Sequence, residues 1–353
     1  MPLARFVLTR AKGTSLQKNM KKKLSVIILN WNGEKLLKEF LPSVVLNTQG
    51  DEMEVIVADN GSDDSSLEVL EKYFPDVKII AFDKNYGFAE GYNRAIARVD
   101  SEYVTLLNSD VEVSMDWWQP IVSFMDSNTD VGGCQPKILS YRDKEMFEYA
   151  GAAGGLLDKL GYPYCRGRLF DKIEKDEGQY DSAPSDVAWA SGAALTVRRD
   201  VYLKVGGLDN LFFAHMEEID LCCRMWNAGY RVCVVPESHV YHLGGASLAQ
   251  GSPQKTYLNF RNNLLLLHKN LPEKKGKKVL FKRRLMDTLA FFMYIAKLDF
   301  ANARSILKAH SDFRKMRENY TVFPQRDILS SLPGADRTIV FDRYLRGNRQ
   351  SHK

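Results

Sequence analysis

Asp110 ends the tripeptide Asn108-Ser109-Asp110, which follows the apolar run Tyr103-Val104-Thr105-Leu106-Leu107. A carboxylate just beyond a buried strand stands at the sheet edge where open α/β proteins bind ligands. An acid there suits a divalent cation that bridges protein to a phosphate-bearing substrate. Mg2+ and Mn2+ take oxygen or imidazole ligands and often need only one or two from the protein. The competing use of Asp110 is to cap the next turn or helix. Three other loops offer comparable groups: Asn30-Trp31-Asn32-Gly33, Asp59-Asn60-Gly61-Ser62-Asp63-Asp64 and Asp83-Lys84-Asn85-Tyr86-Gly87.

These loops need a scaffold, and the first half of the chain supplies one. Strand-like runs LSVIIL, EVIVA, VKIIAF and YVTLL alternate with helix-like GEKLLKEFLPSVVLN, SSLEVLEKYF and AEGYNRAIARV. That alternation implies βαβ units and a largely parallel sheet, with the four loops along one edge. From Gly151 to about Pro184 the pattern dissolves into Gly, Pro and charged residues, as expected of a long excursion near the site. Order returns at VAWASGAALTVRR. EEIDLCCRMWNAGY then reads as a helix ended by Gly229, and RVCVVP and HVYHLGG read as two short strands.

Several nucleotide chemistries are excluded. A dinucleotide-binding turn needs several glycines after the first strand, and NWNGEK holds one. GAAGGLL lacks the GxGxxG spacing, and no GxxxxGK[ST] run occurs. The chain has 353 residues and a net charge of +5, much of it concentrated between Lys274 and Arg284. Its five cysteines show no CxxC spacing, which suits a reduced, cytoplasmic setting. No nucleic-acid partner is expected. The first residues carry no secretory signal, and Met20 with Lys21-Lys22-Lys23 is an alternative start. Residues 1–22 are expected to be a disordered extension.

Read together, VIILNWNG, VADNGSDDSS, NYGFAEGYNRAI, LLNSDVEV, the stretch from SGAALTVRRD to EEIDLCCRMWNAGYRV, and VYHLGGAS resemble glycosyltransferase family 2. The similarity is greatest to its bacterial rhamnosyltransferase-like members and covers about residues 24 to 270. It implies a GT-A fold: an α/β, Rossmann-like mixed sheet with flanking helices over 23–253, followed by a basic helical arm over 254–353. It also implies inverting sugar transfer from a nucleotide-sugar donor, UDP- or dTDP-linked, to a glycan or lipid-linked acceptor in cell-surface polysaccharide synthesis.

The resemblance assigns roles residue by residue. Asp59 would bind the pyrimidine base, or else serve as an Asx-turn residue. Asn30 and Trp31 would contact the nucleoside, and Asn85 and Asn93 would lie near the donor. Asn108-Ser109-Asp110 occupies the DxD position with Asn for the first acid. Asp110 would bind Mn2+ or Mg2+, with Asn108 on ribose or diphosphate. His242 would complete the metal site, or else be an ordinary strand-end histidine. Glu218 takes the base position, with Glu where the family pattern has Asp, and Glu217 would orient acceptor hydroxyls. Asp220 and Arg224 are spaced to brace the helix as an i,i+4 pair, and Cys222 and Cys223 to sit in its core. A non-catalytic glycan- or nucleotide-binding module of the same fold and a sugar nucleotidyltransferase stay open as alternatives.

The arm combines basic, aliphatic and aromatic residues at helical spacing. It reads as a helix on an anionic membrane interface or as a hairpin packed on the catalytic domain. Its longest apolar run, Leu289 to Ala296, is too short to span a bilayer. The expected location is cytoplasmic, with peripheral contact on the inner face of the membrane.

Overall fold

The structure is a computed structural model that describes residues 21–149, 151–244 and 251–344. The expected disordered extension lies outside the described residues except at its end, where Lys22 already opens the first strand.

The chain runs β1 (Lys22–Asn30), α1 (Glu34–Asn47), β2 (Met53–Asp59), α2 (Ser66–Tyr73), β3 (Lys78–Ala81), α3 (Gly87–Ile96), β4 (Ser101–Asn108), β5 (Val111–Val113), α4 (Gln119–Ser127) and β6 (Val131–Ser140). It continues through β7 (Gly155–Leu157), β8 (Pro163–Cys165), β9 (Arg168–Leu169), β10 (Lys172–Ile173), β11 (Ser185–Asp186), β12 (Ala194–Arg198), α5 (Arg199–Lys204), α6 (Glu217–Asn227) and β13 (Arg231–His242). Four helices follow: α7 (Pro253–Asn270), α8 (Glu273–Ala296), α9 (Phe300–Met316) and α10 (Ile339–Tyr344).

One mixed sheet holds nine strands in the order β11-β13-β6-β12-β4-β1-β2-β3, with β5 on β13. Strands β4, β1, β2 and β3 are parallel, and β1 buries Leu24, Val26, Ile27 and Ile28 in near succession. A strand apolar on both faces is what a sheet covered by helices on both sides requires. Strand β12 is antiparallel to both β4 and β6, and β13 is parallel to β6, so β13 ends on the same edge as β1 and β4. Asn30, Asp59, Asn108 and His242 are the last residues of β1, β2, β4 and β13. The topology therefore gathers them on one edge, as the strand–helix alternation implies.

Two elements differ from the sequence expectation. The stretch from Gly151 to Pro184 carries a second, antiparallel sheet in the order β10-β9-β8-β7, whose Leu156, Tyr164 and Leu169 cluster with Ile339 of α10. Strands of two or three residues leave no periodicity to read. RVCVVP and HVYH form one strand, β13, with a register shift between Val235 and His239. The intervening Pro236 has no N–H to donate, so the ladder breaks there and resumes. In the helical region Leu264 to Leu267, Val279 and Phe313 belong to the same core cluster as Ile27 and Val104 of the sheet, so the arm packs on the catalytic domain, one of the two placements read for it.

Candidate active site

Strand β5 turns back from Asp110 and pairs with the end of β13, setting Val111 opposite His242. The Asp110 Oδ1 and His242 Nε2 atoms are consequently 3.1 Å apart, and both side chains are buried. Burial works to raise the Asp110 carboxyl, but the hydrogen bond and charge of His242 outweigh it and hold the group below its ordinary value. Burial likewise works to lower His242, and hydrogen bonds with Asp110 and Glu148 override it, pushing the imidazole up to about 10. Glu148 Oε2 lies 3.4 Å from Nδ1 on the far side of the ring, while Asn108 Nδ2 lies 3.4 Å from Nε2.

This arrangement fits a divalent ion. Adjacent ligands on an octahedral ion bound at about 2.1 Å are about 3 Å apart, close to the observed Asp110–His242 separation. A carboxylate oxygen with an imidazole nitrogen suits Mn2+. Among the described residues no group of three or more His, Cys, Asp or Glu side chains is arranged to hold a metal by itself. Two protein ligands with phosphate oxygens completing the shell is the pattern such ions adopt on nucleotides. Glu148 would then fix the ring from behind, a supporting role metal-binding histidines usually have filled.

The loops after β1 and β2 form a second constellation. Asp59 is 1% exposed and accepts three hydrogen bonds: from the Ser62 N–H at 2.9 Å, the Ser62 hydroxyl at 2.7 Å and Asn30 Nδ2 at 2.9 Å. It thus organises its own loop, the turn role weighed for it above, and a carboxylate has lone-pair capacity for about one more donor. Asn60 ties this loop to the next through Asn85 Oδ1 at 3.0 Å and the Gly87 carbonyl at 3.1 Å. Gly61 permits that approach, since a Cβ there would lie 2.5 Å from the Lys84 backbone. Trp31 is 57% exposed beside the loops, an indole face open to solvent.

Asn93 has another job than the expected contact near the donor. Its Oδ1 accepts from the Tyr202 hydroxyl and the Leu208 N–H, and its Nδ2 donates to the Leu208 carbonyl and Asn210. Every amide position is spent on bracing the loop after α5.

Glu217 and Glu218 open α6. Phe213, His215 and Met216, immediately before them, adopt φ values of 67°, 67° and 75°. Left-handed backbone at non-glycine residues costs on the order of 1–3 kcal/mol each and persists only where packing imposes it. Helix α7 does so here. Asn262 Nδ2 reaches the carbonyls of Phe212, Ala214 and His215 at 2.9, 2.9 and 2.7 Å, and Arg261 donates to the Phe212 carbonyl at 2.8 Å. Asp220 anchors the helix further along, paired with Arg224 at 2.9 Å, Lys269 at 2.9 Å and Asn270 at 2.7 Å. The i,i+4 pair is thus part of a buried network between α6 and α7. Cys222 and Cys223 are buried, and the Cys222 thiol accepts from the Ala190 N–H at 3.4 Å.

The two glutamates differ electrostatically. Burial pushes Glu218 up to about 6, restrained by backbone N–H groups at the helix start. Burial pushes Glu217 well above the carboxylate range, and the charge of Glu218 adds to it. Both carboxyls therefore resist ionisation more than an ordinary glutamate, Glu217 more strongly than Glu218. Paired groups whose environments separate their ionisation divide acid and base roles between them.

A three-residue turn joins this helix start to the Asp110 edge. The Ala193 carbonyl accepts from the Asn108 N–H at 3.0 Å, and a Cβ on Gly192 would lie 3.7 Å from that of Glu218 and 3.5 Å from the Phe88 ring. Glu218 and Asn108 therefore flank Ser191-Gly192-Ala193, and the small residues leave room between them. Glu148, Gly192 and Asn262 are the participants that sequence reasoning missed. A lone acid in the aromatic run MFEYAG and the triplet RNN before four leucines were the available signals.

Residues 25–172 match the family model described as Glycosyl transferase family 2. The chain carries a family 2 glycosyltransferase domain. The chain is 28% identical over 242 residues to the N-acetylglucosaminyl-diphospho-decaprenol L-rhamnosyltransferase of Mycobacterium tuberculosis (strain ATCC 25618 / H37Rv), covering 62% of this chain and 75% of the relative. It is 26% identical over 226 residues to rhamnosyltransferase WbbL of Escherichia coli (strain K12), with 62% and 82% covered. The dTDP-rhamnosyl transferase RfbF of Shigella flexneri is 25% identical over 269 residues, with 71% and 82% covered.

Among solved structures, GalNAc-T7 with UDP, GalNAc and Mn2+ superposes with a TM-score of 0.60 at 17% identity, covering 90% of this chain and 59% of that one. S. aureus TarS 1-349 in complex with UDP-GlcNAc gives 0.57 at 19% identity, covering 82% and 80%. At such identities the likeness establishes the glycosyltransferase fold, the GT-A architecture implied by the motifs.

Proposed function

We propose that the protein transfers a sugar from a pyrimidine nucleotide donor to a lipid-linked glycan precursor, with inversion, in polysaccharide synthesis. The three rhamnosyltransferase relatives favour dTDP-rhamnose as donor, and the decaprenyl diphosphate acceptor named for the mycobacterial one favours a polyprenyl-linked acceptor met on the cytoplasmic side of a membrane.

The observation that carries this reading is the Ser191–Ala193 turn, which sets Glu218 beside the edge holding Asn108, Asp110 and His242. Trp31 and the Asn30–Asp59 loop receive the nucleoside. Asp110 and His242 hold Mn2+ or Mg2+, which when bound neutralises charge on the diphosphate leaving group. Glu218 Oε2, buried and without a hydrogen-bond partner, accepts the proton of the acceptor hydroxyl. The oxygen so freed bonds to the anomeric carbon as the carbon–phosphate-oxygen bond breaks on the opposite face. The nucleoside diphosphate leaves with that electron pair. Glu217, beside Glu218 at the helix start, orients a neighbouring acceptor hydroxyl. Helix α7 holds both glutamates in place through the clamp on residues 212–215.

Calorimetric titration with dTDP, UDP and GDP, each with and without Mn2+, tests the donor assignment. Metal-dependent binding of a pyrimidine diphosphate is expected; preference for GDP, or no binding at all, would remove it.

A further inference from the structure

Helix α8 is built inside out. The face it buries carries Gly276, Val279, Arg283 and Asp287, whereas Phe281, Leu285, Leu289 and Phe292 are 63%, 54%, 57% and 59% exposed. Their spacing of four, four and three residues aligns them in one stripe, about 16 Å long at the helical rise. The stripe continues past the helix end, where Leu298 is 76% and Phe300 60% exposed.

Polar anchors on the opposite face set this orientation. The Arg283 guanidinium lies 3.6 Å from the Tyr162 ring centroid, donates to the Leu160 carbonyl at 3.3 Å and pairs with Asn263 of α7. Asp287 meets His310 Nε2 of α9 at 3.0 Å. Turning the helix to bury its leucines would cost these buried charges their partners, which is strongly destabilising.

The charge along α8 is of one sign: Lys274, Lys278, Lys282, Arg284 and Lys297 are exposed, the single acid between residues 274 and 298 is the buried Asp287, and Asp299 in the turn beyond is engaged in capping α9 through Asn302. A two-fold contact with a second copy would press cations against cations. An anionic lipid surface complements both the charge and the apolar stripe. Among the described residues no helix is long and apolar enough to cross a membrane.

We propose that the exposed face of α8 and the α8–α9 turn dock on an anionic bilayer, with the phenylalanines and leucines in the headgroup boundary and the lysines on the lipid phosphates. Because α7 packs against α8 and clamps the loop before Glu218, the docked face and the catalytic edge share one rigid connection.

Co-sedimentation of the full chain with phosphatidylcholine vesicles, with or without phosphatidylglycerol, reads this without turnover, so its outcome is separate from that of the sugar-transfer reading. The expected result is binding to phosphatidylglycerol vesicles at low salt, weakened at high salt and on phosphatidylcholine alone. Leu289→Ser with Phe292→Ser should lower partitioning by about tenfold or more, and Lys278→Glu with Lys282→Glu should remove the dependence on anionic lipid. All four positions are exposed, and circular dichroism verifies that the variants fold. Absence of binding at low salt would overturn the proposal, as would equal binding by wild type and both variants. Sedimentation equilibrium showing a dimer that the Ser variant dissociates, without vesicle binding, would assign the face to a second copy instead.

Discussion

The side-chain amide of Asn262, on α7, donates to the backbone carbonyl of His215 at 2.7 Å, two residues before the Glu217–Glu218 pair. A helix outside the sheet thereby holds the catalytic helix start in a left-handed entry that the backbone alone disfavours. Asn262→Ala should lower stability by about 1–3 kcal/mol, the cost of leaving buried carbonyls unpaired. It should also depress kcat more than the KM for donor, since the donor edge lies on other loops. Denaturant melts and steady-state kinetics check both; a normal kcat in a folded Asn262→Ala protein would show that the clamp does not position Glu218.

Glu218 stores a destabilising charge. Its folded pKa of about 6 lies above the 4.5 of an ordinary glutamate, so the folded state holds the proton more tightly than the unfolded one. The native form therefore gains from protonation below pH 4.5 and loses that gain as pH rises through about 6, on the order of 2 kcal/mol. Glu218→Gln should match wild type in stability at the acid end of this window and exceed it by about 1–2 kcal/mol above it. Thermal melts across that range measure it; a variant less stable than wild type at pH 8 would contradict the burial argument.

At the metal edge, Asp110→Asn and His242→Ala should each abolish most of the Mn2+-dependent gain in nucleotide affinity while leaving metal-free binding nearly unchanged. Glu148→Gln, one step removed behind the ring, should weaken Mn2+ by about tenfold or more. Calorimetry with and without Mn2+ separates the cases, and an unaltered metal dependence in Asp110→Asn would take that residue out of the site.

Asp59→Ala tests whether this acid organises its loop. It strips three donors of their acceptor, so stability should fall by about 1–3 kcal/mol even without nucleotide, together with nucleotide affinity. Loss of affinity with unchanged stability of the free protein would instead make Asp59 a reader of the base alone.

What was legible in the chain follows from how local each signal is. Asp59, Asn108 and His242 end strands whose apolar runs are unmistakable, and Asp110 lies in the turn just past one of them, so the parallel sheet and its acid edge could be placed from the residues. Asp110 beside His242 depends only on β5 folding back on β13, and both motifs stand out. Glu148 reaches the site from a segment without regular structure, and Asn262 does so from 47 positions beyond His215, whose carbonyl it clamps. No local pattern announces such long-range partners. Asn93 misleads for the opposite reason: it lies in a conspicuous motif, yet tertiary contacts with Tyr202 and Leu208 take all its hydrogen bonds. The lysines and phenylalanines of α8 were apparent as composition. The three-dimensional packing adds that Arg283 and Asp287 face inward and the phenylalanines outward.

The most direct test of the account is the rate of sugar transfer by Glu218→Gln at saturating donor and Mn2+, with donor affinity measured on the same preparation. A general base contributes about 10²–10⁴-fold, so transfer should drop by that factor while nucleotide binding stays near wild type. Transfer within a few-fold of wild type would contradict the assignment of Glu218 as the base.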